Sequence, residues 1–155
     1  MIAIPQAAFD LAKRFEGFHR VARQEPGRAS PYRCPAGYWT IGYGHLCEPD
    51  HSPITMAQAE ALLAKDLKMA MAATLRYCPV LAWETDGRLA AVIDFTFNLG
   101  PGRLQYSTLR RRINQMDWNA SASEIQRWVY GGGKVLPGLI ARRKAEAGWL
   151  LGNAQ

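Results

Sequence analysis

The 155-residue chain contains only three cysteines, Cys34, Cys47 and Cys78, an odd number with no CxxC spacing. That argues against a disulfide scaffold or a zinc ribbon and makes a reducing compartment the default. Acidic residues are scarce: 13 Asp and Glu against 19 Lys and Arg leave a formal charge of +6. The imbalance favours an anionic partner, whether nucleic acid, a membrane surface or a polyanionic wall, and sign alone does not choose among them. No long apolar run is present either. Met1 to Phe18 is interrupted by Asp10, Lys13, Arg14 and Glu16, so it lacks the uninterrupted stretch of a signal peptide or membrane anchor. The expectation is a chain that neither exports itself nor inserts stably into a membrane. Internal repeats, low-complexity tracts and long linkers are also missing. What remains, 48% hydrophobic and 21% charged residues, is the composition of a soluble globular protein. At this length a fold buries about 68–70% of the unfolded surface, enough for one compact domain over residues 1–155 without disulfide or metal.

Pro5 suits a first helical position, and Ala8, Leu11, Ala12 and Phe15 recur at three- and four-residue spacing, which predicts a helix to about Phe15 with Glu16 at its end. Gln24 to Pro35, rich in Pro, Gly, Arg and Ser, reads as one extended loop. Tyr38 to His45 is aromatic and β-branched, broken by two glycines, and is the one convincing β region. Thr55-Met-Ala-Gln58 reads as a capping box ahead of a helix carrying Ala59, Leu62, Leu63, Leu67, Ala70 and Thr74. Leu89 to Leu99 is apolar nearly all round and is read as a central buried helix ended by Gly100 and Pro101. Further helices are predicted over about Thr108 to Met116, Trp118 to Val129 and Gly138 to Leu151, the last two separated by Gly131-Gly-Gly133 and Pro137. A small β element followed only by helices is an α+β layout with a mainly helical second lobe, and a cleft between two lobes is a natural ligand site.

Among chemistry-bearing residues, Glu16 stands between Phe15 and Phe18, where partial burial would suit a general acid. On position alone, a glutamate at a helix end is more often solvated or ion-paired. Cys34 and His45 could form a nucleophile and base, as in a cell-wall amidase, although free cysteines commonly serve as small buried hydrophobes. Arg110-Arg111-Arg112 and Arg142-Arg143-Lys144 leave open a basic nucleic-acid module, but charge runs are usually solvated faces, and no helix-turn-helix or aromatic platform accompanies them. Gly131 to Lys134 is not a phosphate loop, since Trp128 stands where the first glycine should be. The five tryptophans default to core, while Trp39, between Tyr38 and Tyr43, is equally suited to a saccharide surface.

Phe15-Glu16-Gly17-Phe18, followed by Pro31-Tyr32-Arg33-Cys34-Pro35-Ala36-Gly37-Tyr38-Trp39-Thr40-Ile41-Gly42-Tyr43-Gly44-His45, resembles the active-site segment of the phage-type lysozymes, the endolysins of glycoside hydrolase family 24. Phe97-Asn98-Leu99-Gly100, Ser107-Thr108-Leu109, and Gly131-Gly132-Gly133 with Leu136-Pro137-Gly138-Leu139 and Arg142-Arg143 resemble later blocks of that family in the same order. The resemblance implies a lysozyme-like α+β fold: a small β-containing lobe over about residues 17–54, with a loop insertion near 20–30, a larger mainly helical lobe, and a substrate cleft between them. It implies hydrolysis of the β-1,4 bond between N-acetylmuramic acid and N-acetylglucosamine in bacterial peptidoglycan, without cofactor or metal, by a monomer. Such a protein would wait in the host bacterial cytoplasm until a separate holin opens a path to the wall.

The family pattern is a glutamate, then Asp or Cys, then threonine after five intervening residues, which Glu16, Cys34 and Thr40 match. Glu16 would protonate the glycosidic oxygen, with Cys34 and Thr40 facing the anomeric carbon and the incoming water. By the same matching, Leu46, Phe97 and Thr108 would touch the saccharide, although Leu46 and Phe97 equally suit packing between lobes. His45 would pair with Asp66 and serve stability rather than catalysis. Two departures stand out. Seventeen residues separate Glu16 from Cys34, about twice the family's gap, so an insertion around Arg20 to Ser30 should loop out as an appendage at small entropic cost, with Arg20, Arg23 and Arg28 as wall-facing charges. Cys34 also replaces the more familiar aspartate. A thiol, with a reference pKa near 8.5, is a poorer base than a carboxylate, which leaves a lytic transglycosylase mechanism open beside hydrolysis.

Overall fold

The computed structural model describes residues 1–19 and 25–153. They form two compact units, Ala12–Asp66 and Met1–Leu11 with Leu67–Gln155, joined in sequence by helices α1 (Gln6–Glu16) and α2 (Met56–Tyr77).

In the Ala12–Asp66 unit the end of α1 leads to five short strands: β1 (Arg28–Ala29), β2 (Tyr32–Arg33), β3 (Trp39–Ile41), β4 (His45–Leu46) and β5 (Ile54–Thr55). Strands β2, β3 and β4 make an antiparallel sheet in that order, pairing Tyr32 with Thr40 and Thr40 with Leu46. Strand β1 pairs with β5, Ala29 opposite Ile54. The capping box at the start of α2 forms as the sequence predicts: the Thr55 N–H donates to Gln58 Oε1 at 2.9 Å and the Gln58 N–H to Thr55 Oγ1 at 3.2 Å. The expectation of one extended loop over Gln24 to Pro35 is corrected by β1 and β2. The partner of Ala29 in β5 lies 25 positions away in sequence, and Ala29 is fully buried, a tertiary reward that local composition does not register. Of the proposed wall-facing charges, Arg20 and Arg23 lie outside the described residues, whereas Arg28 is part of β1 and pairs with Glu25 at 3.1 Å.

The other unit is helical: α3 (Asp86–Leu99), α4 (Pro101–Gln105), α5 (Thr108–Asn114), α6 (Trp118–Ile125) and α7 (Pro137–Leu150). Leu89 to Thr96 of α3 are all buried, and the helix ends at Gly100 as predicted. Helix α4, which the sequence reading lacks, is a single turn begun by Pro101 at a first helical position. Helix α6 ends at Ile125, short of the predicted Val129. Helices are not the only elements here: Tyr130–Gly131 (β6) and Lys134–Val135 (β7) form a hairpin around Gly132-Gly133. The triple glycine is therefore a two-residue hairpin turn rather than a bare break. The tryptophans are not core either. Trp83 is 91% exposed, and Trp39, Trp118, Trp128 and Trp149 are half-buried, in keeping with a ring too large to bury completely.

The largest departure concerns Arg142-Arg143, which the charge-run argument puts on a solvated face. Both are buried, Arg143 completely. Arg142 donates through Nε and Nη2 to the two Asp94 oxygens, each at 2.8 Å. Arg143 Nε lies 2.9 Å from Glu146 Oε2, and its Nη2 donates to Asn98 at 2.6 Å. Spacing along α7 places these charges against the one acidic position of the otherwise apolar stretch of α3, so burial is permitted by pairing. Burial would lift the Asp94 carboxyl, but the Arg142 guanidinium more than offsets it and holds the group below its usual range. Glu146 goes the other way. Burial pushes it well above the usual range, the Arg143 charge opposes that rise, and the neighbouring Asp94 charge adds to it.

A pH signature follows for Glu146. With its folded pKa above the unfolded value of about 4.3, its contribution to stability is fully present below that pH and is lost as pH rises through the folded pKa. Glu146→Gln, which cannot ionise, removes this dependence. Urea unfolding between pH 4 and pH 8 should show the variant gaining on the wild type as pH rises, by up to about 1.4 kcal/mol per pH unit within the window. A pH-independent difference between the two proteins would mean that Glu146 ionises in the fold as it does in water.

Candidate active site

Glu16 is the last residue of α1 and half-buried. The helix closes behind it through the Gly17 N–H, which donates to the Lys13 carbonyl at 3.0 Å. Phe18 then packs on Tyr43 at 5.7 Å between ring centroids, and Lys13 bonds Glu60 of α2 at 2.6 Å. These contacts anchor the helix end on both sides of Glu16. Its carboxyl rests on Gly44, in the turn between β3 and β4: a Cβ built at Gly44 would stand 2.8 Å from Glu16 Oε2 and 3.1 Å from its Cδ. Gly44 has φ of +80°, so both the backbone conformation and the nearness of the acid require a residue without a side chain. Two residues earlier Gly42 does the same for packing, since a Cβ there would meet Ala59 of α2 at 2.8 Å.

The hairpin of β2 and β3 supplies the other two members of the pattern. The Gly37 N–H donates to the Cys34 carbonyl at 2.8 Å and the Cys34 N–H to the Tyr38 carbonyl at 2.9 Å, which closes the turn and continues the ladder. Alternation along the strands then puts Tyr32 and Cys34 on the same face as Thr40 and Leu46. The five-residue spacing between Cys34 and Thr40 is thus the length of one tight turn plus its flanks. Thr40 is 3% exposed and its hydroxyl donates to the Tyr32 carbonyl at 3.3 Å. Cys34 is half-buried and a free thiol.

Tyr32, which the sequence reading quotes but assigns no role, sits in the middle of this cluster. Burial raises its phenol above the ordinary value, the Thr40 hydroxyl works against the rise, and the nearby Glu16, Cys34 and Cys47 charges add to it. The phenol therefore stays protonated well above neutral pH and remains a donor. Its alternation with Cys34, two residues on, was the available signal. Of the other thiols, Cys78 is pushed up to about 12 by burial, and burial with the Glu48 charge raises Cys47.

Leu46 on β4 is 65% exposed and so is not a core residue. Thr108, the first residue of α5, and Phe97 on α3 are half-buried and belong to the helical unit, where the Arg142 guanidinium carbon lies 5.9 Å from the Phe97 ring centroid. His45 Nδ1 donates to Asp66 Oδ2 at 2.7 Å, the contact implied by the resemblance. That bond commits one ring nitrogen of His45 to a carboxylate of α2. Among the described residues, no three His, Cys, Asp or Glu side chains are grouped to hold a metal ion, and no helix is long and apolar enough to cross a membrane.

Residues 13–146 match the phage lysozyme family. An endolysin of Acyrthosiphon pisum secondary endosymbiont phage 1 is 34% identical over 148 residues, covering 92% of this chain and 94% of the relative. A SAR-endolysin of Bacteriophage PS34 is 37% identical over 122 residues, 77% of this chain and 71% of the relative. In three dimensions the muramidase domain of SpmX from Asticaccaulis excentricus superposes with a TM-score of 0.79 at 29% identity, over 97% of this chain and 99% of that one. The fold is thus the lysozyme-like α+β fold with a helical majority, and the chain belongs to the phage lysozyme family.

Proposed function

We propose that Glu16 is the general acid of a peptidoglycan muramidase, with Cys34 and Thr40 ordering the water that attacks the anomeric carbon. The carrying observation is the Glu16 carboxyl lodged against Gly44, in the same unit as the face that bears Cys34 and Thr40. The chain is a phage lysozyme that cleaves peptidoglycan at the β-1,4 bond between N-acetylmuramic acid and N-acetylglucosamine. In this assignment Glu16 transfers its proton to the glycosidic oxygen as the bond to the muramic acid C1 breaks. Water adds at C1, and the proton it releases restores the acid through solvent. The Thr40 hydroxyl, committed as donor to the Tyr32 carbonyl, keeps its lone pairs to accept from that water. Leu46, exposed on the Thr40 face, offers an apolar surface to a sugar ring, and Phe97 and Thr108 are assigned to saccharide contact in the helical unit. No observation favours the transglycosylase, amidase or nucleic-acid readings.

Delivery to the wall is assigned to a separate holin, the enzyme waiting in the host cytoplasm until then. In support, Ala8, Leu11 and Ala12 of α1 are buried, so that helix is built into the fold. Expression of the chain alone should leave a Gram-negative host intact until chloroform permeabilises the inner membrane; lysis without permeabilisation would refute this.

Digestion of purified peptidoglycan followed by mass spectrometry should give reducing muramic ends. Anhydromuramic ends or free stem peptides would mean transglycosylase or amidase chemistry instead. Glu16→Gln should fold normally and lose about 10²–10⁴-fold in turnover, and wild-type turnover in that variant would remove Glu16 from the mechanism. Cys34→Ser should keep a sizeable fraction of activity and Cys34→Asp more, because the thiol forms no covalent bond. Gly44→Ala should cost about 1–3 kcal/mol in stability from the left-handed backbone and about 10²-fold in lytic rate from the displaced acid. A loss of stability with kcat intact would show that the Glu16 carboxyl does not depend on Gly44.

A further inference from the structure

The family resemblance leaves a mechanical problem: the acid and the Cys34–Thr40 hairpin are separated by 17 residues, and chain length alone does not hold their ends in register. One side chain bridges the gap at its root. His19, three residues after the acid, has Nε2 at 3.0 Å from the Glu16 carbonyl oxygen. A carbonyl only accepts, so His19 carries its proton on Nε2 and donates to one of the free carbonyls at the end of α1. The same ring packs on Tyr32 with centroids 4.4 Å apart and a tilt of 46°. Tyr32 is the residue opposite Thr40 in the sheet, and its backbone carbonyl accepts the Thr40 hydroxyl. A continuous path of contacts therefore runs from the Glu16 main chain through His19 and Tyr32 to Thr40.

We propose that His19 and Tyr32 are positioning residues: their ring contact is a clasp that closes the root of the long segment and fixes the general acid relative to Thr40 and Cys34. The inference rests on Glu16 being the acid. His19 is exposed and contributes little to the core, so its two contacts, to the Glu16 carbonyl and to the Tyr32 ring, bear on the site more than on the fold. Two features of the ring matter separately, the Nε2 donor to the Glu16 carbonyl and the flat face against Tyr32. Small displacements of a reacting group are enough to cost an order of magnitude or more in rate.

The test is steady-state kinetics on soluble peptidoglycan fragments together with thermal unfolding. His19→Ala is expected to lower kcat about tenfold, leave KM within about twofold and leave Tm within about 2 °C. His19→Gln keeps a donor without the ring and His19→Phe keeps the ring without the donor, and each should recover part of the loss. Tyr32→Leu should lower kcat similarly, and the double variant should be little worse than Tyr32→Leu alone. A wild-type kcat in His19→Ala overturns the proposal. So does a loss confined to KM, which would make His19 a saccharide contact, or one confined to Tm. Failure of the muramidase reading is seen separately, in a wild-type protein that releases no reducing muramic ends.

Discussion

The Ala12–Asp66 unit is organised by one close approach, that of the Glu16 carboxyl to the bare Cα of Gly44. A helix can deliver a carboxyl to a turn only if the turn leaves room for it, and the turn from Ile41 to His45 does so with glycine at both positions of positive φ. Gly42 lets α2 pack beneath the turn and Gly44 lets the acid rest above it. Once those two approaches are made, the remaining contacts reinforce them. Phe18 lies on Tyr43 between the two glycines, Lys13 reaches Glu60, and His45 reaches Asp66. Each is modest by itself, and the exposed Lys13–Glu60 pair is worth little on general grounds. Their value lies in direction: they arrive from different elements and leave Glu16 few alternative placements.

The helical unit is organised differently, around charge buried in its core. Arg142 grips Asp94 with two bonds across α3 and α7, and Arg143 turns to Asn98 and Glu146. Taking such groups out of water is expensive, and well-packed apolar residues would hold the two helices at least as strongly. What the ions add is geometry. A bidentate guanidinium and carboxylate meet in one orientation, whereas leucines tolerate sliding. The opposite shifts of Asp94 and Glu146 express the same crowding: two carboxyls share two guanidiniums, and the one with the better pair keeps its charge more readily.

Much of this is legible in the amino-acid sequence alone. Local rules reached the capping box at Thr55 and the buried stretch of α3 with its stop at Gly100, because each depends on residues within a few turns of one another, whereas the Cys34 to Thr40 spacing gained meaning only from the family resemblance. Two-residue strands escaped those rules. Ala29 becomes a strand residue only because Ile54 lies opposite, and the glycines between Tyr130 and Val135 suit a hairpin turn and a helix break equally until the two strands pair. Arg142-Arg143 failed for a related reason. A charge run is solvated unless counter-charges lie within the core, and Asp94 and Glu146 declare themselves as partners only after α3 and α7 pack. Tyr32 and His19 stayed hidden because their meaning is relational, one opposite Thr40 and the other beside the Glu16 carbonyl.

Cysteine in place of a carboxylate then has a consequence for how water is held. A carboxylate at position 34 would accept strongly from the attacking water, and a thiol accepts weakly. In the proposed mechanism the burden of orientation moves to Thr40, whose hydroxyl faces the water as an acceptor when its own proton is committed elsewhere. That commitment is the bond to the Tyr32 carbonyl, made possible by the register that sets residues 32 and 40 opposite one another. The phenol of the same tyrosine, kept protonated by burial, brings a neutral donor to the face instead of a further negative charge. Tyr32 thus serves through its main chain, which orients Thr40, and through its ring, which meets His19. A site with a weaker acceptor depends correspondingly more on the rigidity of the neighbours that remain.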